Sequence, residues 1–174
     1  MRLAFIDKDW TLVKPKSGDT FVQSPDDQEL LPGVLERLTE LEDAEYKPVI
    51  ISNQQGVQKG YKTLQNAIDE MRYCLELTGI ERAYFCPDEG HSMGYVNLID
   101  EAPKPLATHK HPIFRKPAPG MPNVVMELLG AVPSDCLFIG DMESDRQCAD
   151  NAKVPFIHVD DWLQDGLKSL LIGH

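Results

Sequence analysis

The stretch AFIDKDWTLV, residues 4 to 13, decides how the chain is read. An apolar run of the kind that forms a strand buried on both faces stops abruptly at two acids, Asp7 and Asp9, with Thr11 close behind. Residues i and i+2 on a strand share a face, so extended backbone would set two carboxylates side by side at the end of a core element. Their mutual repulsion calls for a compensating charge, which points to a site.

Working outward, the same pattern recurs. Short apolar runs at Leu3 to Ile6, Pro48 to Ile51, Ala83 to Cys86, Cys136 to Ile139 and Pro155 to Val159 predict strands. Between them lie stripes at helical spacing: Val34, Leu35, Leu38 and Leu41, opened by Pro32; Leu64, Ile68, Met71 and Leu75; Met121, Val125 and Leu128; and Trp162, Leu163, Leu167 and Leu170. Strands alternating with helices predict an α/β fold, a mostly parallel sheet with helices on both faces. The length of 174 residues and 42% hydrophobic content fit one domain over residues 1–174. Residues 14–31 and 87–114 show neither period and read as long irregular loops, a class that is usually functional or flexible.

The 28 acids outweigh 17 lysines and arginines, giving a net charge of -11 that opposes non-specific attraction to nucleic acid or anionic membranes. No run approaches the ~18 apolar residues of a membrane span, and the first residues lack the order of a signal peptide. A cytoplasmic protein is expected, without membrane contact. Cys74, Cys86, Cys136 and Cys148 are scattered, which predicts reduced thiols.

In an open parallel sheet, ligands bind beyond the carboxyl ends of the strands. There the sequence places Asp7, Asp9 and Thr11; then Ser52, Asn53 and Gln54; then Gly140, Asp141 and Asp145; with Arg115 and Lys116 just ahead of the third helical stripe. This mixture suits a metal-assisted phosphate site. Mg²⁺ takes oxygen ligands, and the expected set is Asp7, Asp9, Asp141 and Asp145. Asp145 has a second reading, as a cap on a helix starting near Glu143. Lys116 adds a fixed positive charge, while Ser52, Asn53, Thr11 and Arg115 face the phosphate, Arg115 having a structural ion pair as its alternative. Asp7 can attack phosphorus to form an aspartyl-phosphate, and Asp9 can protonate the leaving oxygen and then deprotonate water.

These residues resemble the four motifs of the haloacid-dehalogenase (HAD) superfamily of phosphatases: D-x-D-x-T at 7–11, Ser52, Lys116, and G-D-x-x-x-D at 140–145. Ser52 to Val57 and Arg115 to Met121 are similar to the branch containing histidinol-phosphate, heptose-bisphosphate and polynucleotide 3'-phosphatases. The resemblance implies a Rossmann-like core, Mg²⁺ dependence and little or no cap domain. Residues 16–21 and 24–27 look like the flap of the polynucleotide 3'-phosphatases, with Gln28 where a tryptophan is common. Tyr84 to Pro87 looks like the start of the zinc loop in the sugar and histidinol phosphatases, although the remaining ligands of that loop do not follow.

In their place the chain offers Cys86, His91, His109 and His111, either a Zn²⁺ set or solvated loop residues. Trp10 stands where relatives usually carry glycine, either narrowing access to the metal or packing on the flap. The flap tips the substrate expectation toward the 3'-phosphate end of a polynucleotide, guided by Lys14, Lys16, Lys59 and Lys62, with a phosphorylated small metabolite such as a heptose bisphosphate or histidinol phosphate as the alternative. A receiver-like or non-catalytic phosphate-binding protein is the remote reading.

Overall fold

Strand β1, Arg2–Ile6, sends alternate side chains into two separate cores. Ala4 and Ile6 join one cluster with Leu38, Leu41, Ile50, Met71 and Trp162, while Leu3 and Phe5 join another with Val49, Met121, Val125 and Phe138. A strand buried on both faces needs apolar residues at every position, which is why Leu3 to Ile6 shows no alternation. The computed structural model describes residues 1–99 and 104–172.

The remaining strands are β2 Val13–Lys14, β3 Glu29–Leu30, β4 Tyr46–Asn53, β5 Arg82–Cys86, β6 Ser92–Asn97, β7 Lys104–Thr108, β8 Cys136–Gly140 and β9 Phe156–His158. The helices are α1 Val34–Asp43, α2 Leu64–Thr78, α3 Gly120–Leu129, α4 Glu143–Ala152, α5 Val159–Asp165 and α6 Ser169–Ile172. The main sheet runs β7-β6-β5-β4-β1-β8-β9. From β5 to β9 all pairings are parallel, as expected for an α/β fold of Rossmann type. The chain leaves β1 toward β4 on one side and returns to β8 on the other, so the reversal of strand order lies at β1 and its carboxyl end opens a crevice. No helix among the described residues is long and apolar enough to cross a membrane.

Two expectations change. The segment 87–114 is not one irregular loop, since β6 and β7 lie within it and extend the sheet antiparallel beyond β5. Its pattern is hard to read because only Met93 and Val96 of β6 are buried, the register shifts at Met93/Gly94, and the edge strand β7 contains Pro105, which an edge tolerates. In the helical stripes, Leu35, Leu64 and Leu128 face solvent, and Met126 takes an inward position on α3.

Residues 14–31 form a loop closed at its base by the antiparallel pair of β2 and β3. Asp27 organises it, its carboxylate accepting from the Ser17 N–H (2.6 Å), the Ser17 hydroxyl (2.8 Å) and the Gln23 N–H (3.0 Å). Gln28 is buried and ties the loop to α2 by donating to the Glu70 carbonyl at 3.1 Å.

The backbone N–H of Gln23, joined by the Ser17 bonds, holds the Asp27 carboxyl below its ordinary value of 3.8. A depressed folded-state value stabilises the ionised form above the unfolded value and withdraws that support as pH falls through the folded one. The loop should therefore keep its order at neutral pH and lose it below 3.8. Asp27→Asn should lose it at neutral pH, read as faster amide exchange at Ser17 and Gln23 with the sheet still protected.

Candidate active site

Four carboxyl-terminal strand or loop positions meet at the crevice beside β1. Asp7 follows β1 directly and donates its N–H to the Ile139 carbonyl at 2.9 Å, which ties it to β8. Asp141 follows β8, and Asp145 lies in the first turn of α4. Ligand oxygens of Asp7, Asp141 and Asp145 lie within 4.8 Å of one another, the one such cluster among the described residues.

Lys116 holds this cluster together. Its ammonium donates to Asp7 Oδ1 at 2.6 Å, to Asp145 Oδ1 at 2.6 Å and to the Ile51 carbonyl at 3.1 Å, with the side chain almost wholly buried. Burial disfavours its charge, but the Asp7 and Asp145 carboxylates more than offset this and hold its pKa above the ordinary lysine value. One lysine does not neutralise three acids. Burial and the charge of Asp145 still raise Asp7 against the opposing pull of Lys116, and burial raises Asp141 as well. Excess negative charge on an all-oxygen donor set fits a hard divalent cation such as Mg²⁺.

Asp9, expected among the metal ligands, stands outside this cluster. Its Oδ1 accepts from Lys8 Nζ at 2.6 Å and its Oδ2 from Gln54 Nε2 at 3.4 Å. Burial raises its pKa, but the Lys8 ammonium outweighs that, assisted by Lys62 and Lys116, and the carboxyl ends below its ordinary value. Its side chain remains 42% exposed, within reach of a bound molecule. Thr11 donates toward Asp7 Oδ2 (3.4 Å) and Asp141 Oδ1 (3.5 Å). Asn53 spends its amide on the backbone of Lys116, donating to its carbonyl at 3.1 Å and accepting its N–H at 3.0 Å, so it positions the lysine. Ser52 is buried and accepts from Gln54 Nε2 at 2.8 Å. Arg115 is half-buried and makes no ion pair among the described residues.

Asp145 takes the capping role, one oxygen accepting the Met142 N–H at 3.1 Å at the start of α4, while its other oxygen faces Lys116 beside the acid cluster. Gly140 permits this, because a Cβ there would lie 2.5 Å from Asp145 Oδ2 and 2.6 Å from its Cβ. Sequence reasoning missed the support behind Asp9. Lys8, with no exposed surface, also lies 3.8 Å from Glu70, and Lys62 donates to both Glu70 oxygens (2.8 and 2.9 Å) and to Gln54 Oε1 (3.0 Å). A charged residue flanked by two acids at positions 7 to 9 was the available signal, but its second partner, Glu70, lies far along the chain on α2.

The zinc set is not assembled. Cys86 directs its thiol at Asp88, and burial pushes that thiol up to about 12, away from the thiolate that zinc binds. Asp88 does the work a metal would do in this loop, accepting from the N–H groups of Gly90 (2.9 Å), His91 (2.8 Å) and Ser92 (3.2 Å) and from the Ser92 hydroxyl. His109 and His111 are exposed, and His91 Nδ1 faces the His109 carbonyl. The basic stripe is also weaker than its sequence suggests: Lys14 lies 3.7 Å from Glu29, and Lys62 is bound to Glu70.

A match to the family model for polynucleotide kinase 3 phosphatase covers residues 2–163. The chain belongs to that family. It is a phosphatase of the HAD type. The D-glycero-beta-D-manno-heptose-1,7-bisphosphate 7-phosphatase of Haemophilus ducreyi is 28% identical over 164 residues, 88% of this chain and 79% of the relative. The crystal structure of the Bordetella bronchiseptica D,D-heptose 1,7-bisphosphate phosphatase, complexed with magnesium and phosphate, superposes with a TM-score of 0.63 at 25% identity, covering 90% of this chain and 79% of that one. A HAD-like protein of Mesorhizobium loti shares the fold, with a TM-score of 0.68 at 23% identity over 98% of this chain and 86% of that one. Heptose-bisphosphate relatives favour the small-metabolite reading over the nucleic-acid end to which the flap had tipped it.

Gly140→Ala should push the Asp145 carboxylate off Lys116, costing roughly 1–3 kcal/mol of stability as overpacked cores do and lowering phosphatase turnover further than the stability loss explains. Asp88→Ala should cost about 1–3 kcal/mol by orphaning its donors, whereas His109→Ala should leave the melting temperature and the response to a zinc chelator unchanged.

Proposed function

We propose that this chain is a magnesium-dependent phosphatase of a small phosphorylated sugar, the heptose bisphosphates being the best-supported class, acting through an aspartyl-phosphate. The observation that carries the chemistry is the largely buried cluster of Asp7, Asp141 and Asp145, in which one lysine bridges Asp7 and Asp145. The substrate class is supported by the likeness to heptose-bisphosphate phosphatases along most of the chain.

Asp7, Asp141 and Asp145 would hold the Mg²⁺, which when bound offsets negative charge on the acids and on the phosphoryl oxygens. Lys116 engages Asp7 through Oδ1, leaving Oδ2, oriented by Thr11, as the oxygen that attacks phosphorus. The bond from Asp7 to phosphorus forms as the bond to the leaving oxygen breaks, and Asp9 gives that oxygen its proton. Asp9 then accepts a proton from water as the water oxygen bonds to phosphorus and Asp7 departs. Lys8 favours the anionic form of Asp9 in the free site, which suits the second step. A phosphate oxygen arriving beside it pushes the other way, toward the proton that the first step requires. Arg115 and Ser52 are the remaining candidates for phosphate contact.

The test is a panel containing heptose 1,7-bisphosphate, histidinol phosphate, other sugar phosphates and a 3'-phosphorylated oligonucleotide, each with and without a chelator. The sugar phosphates should be turned over best, turnover should vanish with the chelator and return with Mg²⁺, and Asp7→Asn should abolish it. Preferential turnover of the oligonucleotide, falling steeply with salt, would overturn the substrate class. Full activity of Asp7→Asn would overturn the mechanism.

A further inference from the structure

The crevice continues away from the acids into a cleft of about 710 Å³ whose walls include Asp9, Trp10 and Asn53. Three large apolar side chains left exposed in this protein share it: Trp10 at 44%, Phe21 at 77% and Tyr61 at 82% exposure. Phe21 comes from the loop closed by β2 and β3, and Tyr61 from the turn before α2, so the aromatic surface is assembled from separate segments. Gln23, Gln55 and Asn66 also line it.

Trp10 is held in place at a cost. Its φ of 60° puts a bulky side chain in the left-handed region, where glycine fits without strain. Its indole Nε1 donates to the Thr20 carbonyl at 3.3 Å and its backbone N–H to the Val13 carbonyl at 2.7 Å. A half-exposed indole one residue from Asp9, tied to the loop by its own hydrogen bond, thus forms part of the wall of a cleft that Asp9 also lines.

We propose that this cleft is the leaving-group site and that Trp10, assisted by Phe21 and Tyr61, stacks against the ring of a cyclic sugar phosphate, which makes Trp10 a specificity-determining residue. The inference rests on the sugar-phosphatase reading above and adds that the sugar is bound in its ring form. A sugar ring has a face of C–H groups that packs on an aromatic plane and a rim of hydroxyls that side-chain amides bind in pairs. The net charge of -11 and the pairing of Lys62 with Glu70 weigh against a long nucleic-acid strand in the same cleft, where Lys59 is the other lysine of the lining.

The experiment compares a heptose 7-phosphate with the open-chain heptitol 7-phosphate obtained from it by borohydride reduction, with the 3'-nucleoside monophosphates alongside, in the wild type, Trp10→Gly and Trp10→Phe. Glycine suits the backbone at this position, so Trp10→Gly should fold. The wild type should prefer the ring form in kcat/KM by about tenfold, the size of one good aromatic contact. Trp10→Gly should bring that ratio close to one, mainly through KM, and Trp10→Phe should retain most of it. An equal rate on both forms in the wild type, or a ratio untouched by Trp10→Gly, overturns this inference while leaving the sugar-phosphatase reading intact. Turnover of neither form, nor of heptose 1,7-bisphosphate beside them, overturns both. A preference for a 3'-nucleotide that Trp10→Gly removes would place a base on the indole and overturn the sugar.

Discussion

The repulsion among three clustered carboxylates, two of them buried, is the constraint around which this molecule is organised. Asp7, Asp141 and Asp145 come from two adjacent strand ends and a helix start, and among the described residues only Lys116 pairs with them as a positive charge. Buried charge is tolerated when it is paired and hydrogen-bonded. Here the pairing is incomplete by design of the donor set, which keeps Asp7 eager for positive charge. The same shortage that would destabilise a purely structural core makes the site receptive to a divalent cation and a phosphoryl group.

The supporting structure reads as a set of devices that keep these groups in register. Parallel pairing of β1 with β4 and β8 sets three strand ends side by side. Asn53 binds the backbone of Lys116, so the end of β4 fixes the lysine that closes the cluster. Gly140 lets Asp145 approach closely enough to reach that lysine while capping α4. Behind Asp9, a chain of contacts through Lys8, Glu70, Lys62 and Gln54 runs from α2 to Ser52. Each contact is buried or partly buried, where electrostatic interactions are stronger than in water.

Much of this was legible along the chain because it depends on local order. The apolar runs and helical stripes locate β1, β4, β5, β8 and β9, and residues just after parallel strands converge whatever the loops do. The strands β6 and β7 were not legible, since an edge hairpin with a bulge, a glycine and a proline buries too little to leave a period. The cysteine and histidines of the same region suggested a metal because ligand chemistry is written in residue type. Whether such residues meet is not, and Asp88 occupies the role instead.

By itself the sequence determined an α/β fold and set Asp7, Asp9, Lys116, Asp141 and Asp145 at or beside strand ends as the candidate site, because apolar runs and residue order are local properties; the resemblance of their motifs pointed to a phosphatase. Only the tertiary structure decided that Asp9 stands apart from the other acids, held by Lys8 and Gln54, and that Trp10, Phe21 and Tyr61 share one cleft. The physical reason is range. Periodicity and strand ends are properties of neighbouring residues, whereas a buried ion pair between Lys62 and Glu70, or a cleft walled by three separate segments, exists only once distant parts of the chain have packed.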